Sequence, residues 1–283
     1  MKACAPFLTY PDLFIVGERA GIYTKAELLI PDHIDEIVSP FVGGGEFELR
    51  LAAKGIKIKA YDLFPHLINL WEHMLTDAKS LTQKVLNLYD DGKGKRSYFQ
   101  DRLAERWLST NSEYRAALTL AINHLSLKGG SFRNKKRDSR ISNYAIIDKV
   151  LCHIQSNGQM VRDRDYRELE KWQASNIEVA DSHFRSTFMR HKENYFYLDP
   201  PVRNQKKGRV GDGKKYSEDF EHSILTDHLR NRDNWMMITA NAGDILDDYS
   251  HCKIDRYPNT SLSAFYDHLI IRPPVTNGDI NNE

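Results

Sequence analysis

The feature that most constrains the fold is Phe41-Val42-Gly43-Gly44-Gly45, set between an apolar run and a helical stretch. The run Glu36-Ile37-Val38-Ser39-Pro40-Phe41 is short and ends at the glycines, as a strand entering a tight turn does. Glu46 to Lys54 reads as a helix, and Gly55 stands where a glycine closes one. Ile56 to Asp62 alternates isoleucine with lysine and ends in Ala60-Tyr61-Asp62, the pattern of a second strand. From Pro65 to Ala78, Leu67, Ile68, Leu70, Trp71, Met74 and Leu75 form a helical stripe with proline at its start. Strand, glycine turn, helix, strand, helix is the opening of a doubly wound α/β sheet with helices on both faces.

Between residues 79 and 176 the patterns are helical: Leu81–Tyr89, Tyr98–Leu108, Glu113–Ile122, Tyr144–Ile154 and Asp165–Gln173. The α/β alternation then returns. Asn176–Asp181, Tyr195–Asp199, Trp235–Ala240 and His268–Arg272 read as strands, with helices at Ser182–Arg190, Ser217–Arg230 and Gly243–Tyr249. Neither half has enough strands to close its own sheet. The expectation is one α/β domain, residues 1–85 and 177–283, interrupted by a helical insertion at 86–176.

At 283 residues the chain can bury a core without metals or disulfides. Its 41% hydrophobic and 28% charged residues exclude a disordered chain. Mean hydropathy is −0.57 and no apolar run approaches about 18 residues, so no membrane span is expected. The start, Met1 to Phe7, has no signal-peptide shape. Cys4, Cys152 and Cys252 are far apart and read as reduced thiols of a cytoplasmic protein. Neither they nor the eleven histidines show metal-ligand spacing, so no metal is expected. The net charge of +1 leaves the question of a nucleic-acid partner to local charge.

Two constellations carry chemistry. In the first, glycines let the backbone approach a ligand, and a helix start offers free N–H groups. Asp62, seventeen residues past Gly45, is placed to accept hydrogen bonds from both ribose hydroxyls of a nucleoside. A dinucleotide fits poorly, because the last position of a G-x-G-x-x-G pattern is Glu48 here. Glu46 beside the turn suits a cationic cofactor better than a pyrophosphate, and S-adenosylmethionine carries a sulfonium and no phosphate.

In the second constellation, the aromatic run Tyr195-Phe196-Tyr197-Leu198 meets Asp199-Pro200-Pro201-Val202. Read alone, it is a rigid turn. It also suits methylation of an adenine amino group, whose lone pair is delocalised into the ring. A carboxylate and a backbone carbonyl that accept its two N–H hydrogens localise that lone pair, and the prolines fix the chain without adding a competing N–H. Orientation and acceptors suffice, with no covalent intermediate.

In this order, with a helical insertion between them, the two constellations resemble the adenine-specific DNA methyltransferases of the Dam type. Ser39 to Gly45 is similar to that family's Glu-Pro-Phe-x-Gly-x-Gly, and Ala60-Tyr61-Asp62 with Leu67 to Leu70 to its ribose-binding acid and following helix. Ile177 to Asp181 is similar to the strand whose end faces the cofactor adenine. Trp235 to Asn241 resembles a strand ending in asparagine, and Tyr266 to Ile271 the closing strand. Thr9 to Phe14 stands where the family has Lys-Trp-x-Gly-Gly-Lys; Tyr10 keeps the aromatic, but the glycines and lysines are absent. Ser39 stands in place of a glutamate, and Val202 in place of the aromatic that stacks on the target base.

The resemblance implies a Rossmann-like methyltransferase sheet with a helical target-recognition insertion. It implies methyl transfer from S-adenosylmethionine to the exocyclic amino group of adenine in duplex DNA, with base flipping, in a restriction-modification setting. Asp199, Pro200, Pro201 and Val202 would form the catalytic turn. Tyr10, Phe41, Gly43, Gly45, Asp62, Asp181 and Asp199 would hold the cofactor. Two basic stretches flank this pocket in sequence. Lys128 to Arg140 has six basic residues against one acid, among them Lys128, Arg133, Lys135, Lys136, Arg137 and Arg140. Arg203, Lys206 and Lys207 open the second, and both are expected to touch phosphates. The expected enzyme is a monomer. The alternatives are an inactive DNA-binding relative, or an amino-methyltransferase acting on another base or on RNA.

Overall fold

The computed structural model describes residues 20–52, 54–92, 96–102, 105–125, 176–201, 220, 222–240, 245–257 and 268–273. Its strands are β1 (Glu36–Ser39), β2 (Lys57–Asp62), β3 (Ile177–Asp181), β4 (Tyr195–Leu198), β5 (Trp235–Ala240), β6 (Lys253–Tyr257) and β7 (His268–Arg272). They form one seven-stranded sheet in the order β3-β2-β1-β4-β5-β7-β6. Pairing is parallel from β3 through to β5, and β7 runs antiparallel to both β5 and β6. The chain builds β1, β2 and β3 outward in one direction and then returns to place β4 on the other side of β1. The carboxyl ends of β1 and β4 therefore border a topological switch point, where open α/β sheets bind ligands.

Side-chain alternation explains why these runs are so apolar. Ile37, Ile58, Ala60, Tyr195, Tyr197, Met236, Ile238 and Ile270 enter one core. Their neighbours Val38, Tyr61, Phe196, Leu198, Trp235, Met237, Leu269 and Ile271 enter the other. With both faces covered, a strand needs no polar alternation. The first core is roofed by α1 (Ala20–Glu27), α2 (Glu46–Ala52), α3 (Pro65–Asp91) and α6 (Ser112–Leu125). The second is roofed by α7 (Phe184–Arg190), α8 (His222–Leu229) and α9 (Ile245–Asp248). Two short helices, α4 (Arg96–Asp101) and α5 (Glu105–Leu108), connect α3 to α6.

The helical stretches Pro65–Ala78 and Leu81–Tyr89 are joined in α3, with a kink at Asp77 (φ −149°, ψ 67°). The Asp77 carboxylate accepts from the Ser80 N–H at 3.0 Å, which caps the second half. Beyond this kink α3 continues past residue 86, and α6 packs along it. Asn69 of α3 donates to the Ser112 carbonyl at 3.0 Å, the Ser112 hydroxyl bonds Asn69 in return, and His73 meets the same hydroxyl at 3.0 Å. The helical patterns at Tyr144–Ile154 and Asp165–Gln173 lie outside the described residues. Among those described, no helix is long and apolar enough to cross a membrane.

Candidate active site

The glycine turn is built by backbone bonds that leave little freedom. Val42 N–H donates to the Tyr61 carbonyl at 2.9 Å, Gly45 N–H to the Val42 carbonyl at 2.7 Å, and Leu49 N–H to the Gly45 carbonyl at 2.9 Å. Gly45 has φ +64°, and a Cβ there would lie 2.4 Å from Trp71 Cζ2. Trp71 also donates its indole N–H to the Gly43 carbonyl at 3.0 Å. Only glycine allows this approach of α3 to the turn. Gly43 has φ +46°, but a Cβ there would meet nothing closer than the Phe41 carbonyl oxygen at 3.9 Å. At Gly43 the backbone is open to a neighbour.

Asp62 ends β2 beside this turn. Its Oδ2 accepts from Gly43 N–H and its Oδ1 from Phe64 N–H, both at 3.1 Å. A carboxylate has about four lone-pair directions, more than these N–H groups occupy, so acceptor capacity remains for a ligand. Asp62 is 8% exposed. Burial raises its pKa from 3.8 to about 6, opposed by the N–H groups of Gly43, Phe64 and Leu63. Asp181 is opposite Asp62 in the β2–β3 register, with an exposed side chain.

Asp199 follows β4 and is half-buried; Pro200 beyond it is buried and Pro201 half-buried. Tyr197, two residues earlier, packs on Phe47 of α2 with ring centroids 4.5 Å apart. That contact ties the strand leading to Asp199 to the helix after the glycine turn. Next to Phe47 is Glu48, only 3% exposed, whose Oε1 accepts from the Ser39 hydroxyl at 2.5 Å. Burial raises the Glu48 pKa to about 8; the Ser39 bond and its own backbone N–H oppose the rise, and Asp199 and Asp62 add to it. Three acids therefore converge on the switch point from β2, α2 and the end of β4. Among the described residues, the leading influences on Asp62 and Glu48 include no lysine or arginine.

Gly43, Gly45, Asp62, Asp199, Pro200 and Pro201, expected from the sequence, share this end of the sheet, with Asp181 on the adjoining strand. Phe41 is there too, but its ring is buried among Phe184 and Phe220, with centroids 5.6 and 5.5 Å away. Tyr10, Val202, Lys128, Arg133, Lys135, Lys136, Arg137, Arg140, Arg203, Lys206 and Lys207 lie outside the described residues. Glu48 is a site residue that the sequence motifs do not mark. The available signal is Glu48 between Phe47 and Leu49 on the helix after the glycine turn, an acid flanked by apolar residues.

Acidic residues at the switch point, beside a glycine turn and an Asp-Pro-Pro, agree with a known class. The family model of D12 class N6 adenine-specific DNA methyltransferases matches residues 26–255. The chain belongs to this class. It is a DNA adenine methyltransferase, and membership implies an S-adenosylmethionine-type methyl donor and a DNA substrate. Comparison with curated proteins gives no match. The residues present fit such a donor. Carboxyl groups gathered at the end of the sheet suit a ligand that brings positive charge and ribose hydroxyls, and they would repel a pyrophosphate.

Proposed function

We propose that the carboxyl end of the sheet binds S-adenosylmethionine and receives an adenine flipped out of duplex DNA, whose amino group is oriented by Asp199. The observation that carries this reading is the convergence of Asp62, Glu48 and Asp199 around the turn at Gly43. S-adenosylmethionine supplies an electrophilic methyl group on a cationic sulfur. Asp62 accepts from the ribose with its remaining acceptor capacity. Gly43 and Gly45 keep the turn low beneath the ligand, and the buried Phe41 ring fixes the turn from below. Asp181 lines the far side toward the cofactor adenine, and Tyr10 covers it.

Asp199 and the Pro200 carbonyl accept the two amino hydrogens of the target adenine, which localises the nitrogen lone pair for attack. Pro201 holds that carbonyl in place, and Val202 walls the base. The stretch from Lys128 to Arg140 and the loop with Arg203, Lys206 and Lys207 contact phosphates on either side of the flipped base. The segment 86–176 reads the target, and the enzyme acts as a monomer within a restriction-modification pair.

The test is methyl transfer from labelled donor into unmethylated duplex DNA, with the product nucleoside identified by mass spectrometry. N6-methyladenine is expected. Asp199→Ala should lower transfer about 100-fold or more with an unchanged melting temperature, the usual cost of losing a positioned acceptor. Transfer by that variant within about threefold of wild type, far short of that loss, would remove Asp199 from the chemistry.

A further inference from the structure

Glu48 is given no contact with donor or target base in the scheme above, yet it lies between the two acids that are. The sheet order puts β1 between β2 and β4. Asp62 at the tip of β2 takes the ribose, and Asp199 at the tip of β4 takes the target amine. The sulfur of the methyl donor is bonded to the ribose side and faces the amine, so it must lie between those tips, over the end of β1. That is where Ser39 holds the Glu48 carboxyl at 2.5 Å.

The surroundings of Glu48 explain its protonation. Among the described residues, the charged groups that act on it most strongly are Asp62 and Asp199, both acidic. α3 meets the glycine turn with the uncharged Trp71. On α1, Glu27 is engaged by Arg50 and Lys54, at 2.5 Å each. A carboxyl that is 3% exposed and surrounded by like charge keeps its proton at neutral pH. A permanent cation arriving over it reverses that balance.

We propose that Glu48 is a positioning residue that distinguishes the cationic methyl donor from its uncharged thioether product, releasing its carboxyl proton to solvent when the sulfonium arrives. After transfer, the sulfur is neutral, Glu48 takes a proton back, and the product loses its counter-ion. Donor binding is thereby favoured over product binding in the same pocket. The inference rests on the assignment of this pocket to S-adenosylmethionine.

The test is calorimetric titration of the full-length protein with S-adenosylmethionine and with S-adenosylhomocysteine, at about pH 7, in two buffers of different ionisation enthalpy. Donor binding should release about one proton more than product binding. Donor affinity should rise with pH, by up to about tenfold per unit, and level off near pH 8, while product affinity changes less. Glu48→Gln keeps an acceptor for Ser39 and cannot ionise. It should abolish the difference in proton release and cut the preference for donor over product about tenfold or more. Comparing the variant with wild type also cancels any protons carried by the ligands. Equal proton release for both ligands in wild type, with both bound, would overturn the role of Glu48 and leave the pocket assignment standing. Failure of either ligand to bind would overturn both. The wild-type comparison decides the question even if the variant does not fold.

Discussion

Gly43 and Gly45 are two residues apart and both have positive φ, yet their surroundings differ. At Gly45 a methyl group would strain the backbone and run into the Trp71 ring. The left-handed conformation costs an L-residue about 1–2 kcal/mol, and overpacking adds about 1–3 kcal/mol. Gly45→Ala should therefore lose about 2–5 kcal/mol of stability in denaturant unfolding, summed from those two effects. Gly43→Ala meets open space and should lose only the backbone part, about 1–2 kcal/mol. Its effect should appear instead in binding, as weaker donor affinity in a protein that still folds. Equal destabilisation by the two changes would mean that Trp71 does not crowd the turn. The buried acids give a second expectation. The folded-state pKa of Glu48 is about 8 against an ordinary 4.5, so the fold favours the protonated form. That contribution is complete below about pH 4.5 and is lost as pH rises through about 8. Asp62 acts in the same direction over a lower window, ordinary 3.8 against about 6. Ligand-free protein should lose stability as pH is raised from about 5 to about 9, and Glu48→Gln should be the more stable chain at the alkaline end. Melting temperatures at three pH values check the sign.

Between elements, α3 is the member that joins the sheet to the helices beyond it. Its first half carries Trp71 against the glycine turn, and its Asn69 and His73 hold Ser112 at the start of α6. Asn69 is 7% exposed, so removing its amide strands partners with little access to water. Asn69→Ala should cost about 1–3 kcal/mol, the usual consequence of orphaning buried polar groups. A smaller loss in thermal or denaturant unfolding would mean that water replaces the amide. How well these elements could be read from sequence follows from their burial. Tyr195–Leu198 and Trp235–Ala240 are covered on both faces, so their apolar runs are unmistakable. β6 is Lys-Ile-Asp-Arg-Tyr at the sheet edge, where charge is tolerated and protects the edge; it does not look like a strand. α1 also escaped notice, because its periodicity is weak and it is held by Tyr23 on Phe47 and by Glu27 on Arg50, contacts made with residues far along the chain. The break between the two helical stretches near residue 79 became a kink at Asp77, since Asp77 caps the second half without a loop. In the site, Asp62 and Asp199 stood out because each ends a strand. Glu48 did not, because its meaning depends on Ser39, nine residues away, and on two acids brought to it by other strands.

For the whole molecule, charge must be divided between two tasks. The net charge is only +1, while the carboxyl end of the sheet concentrates buried acid. A DNA enzyme with this balance needs local basic surface to hold phosphates away from the acidic centre, or the field of the pocket would oppose its own substrate. The stretch Lys128 to Arg140, with six basic residues and one acid, is one of two such candidates in the sequence, the other running from Arg203 to Lys215. If it binds phosphates, complex formation releases counter-ions, and the logarithm of affinity falls linearly with the logarithm of salt. Each phosphate contact contributes about 0.9 to that slope. Neutralising Lys135, Lys136 and Arg137 together should reduce the slope by up to about 2.7 and weaken DNA binding most at low salt. Donor affinity should be unaffected, because these side chains are assigned to DNA alone. The control is a triple change of Lys25, Lys192 and Lys253, all exposed on α1, after α7 and on β6. It removes the same net charge from surfaces given no DNA contact. Equal slopes for the two triple variants would show that total charge governs binding; a lower slope for the first alone places the phosphate backbone against the residues before Arg140.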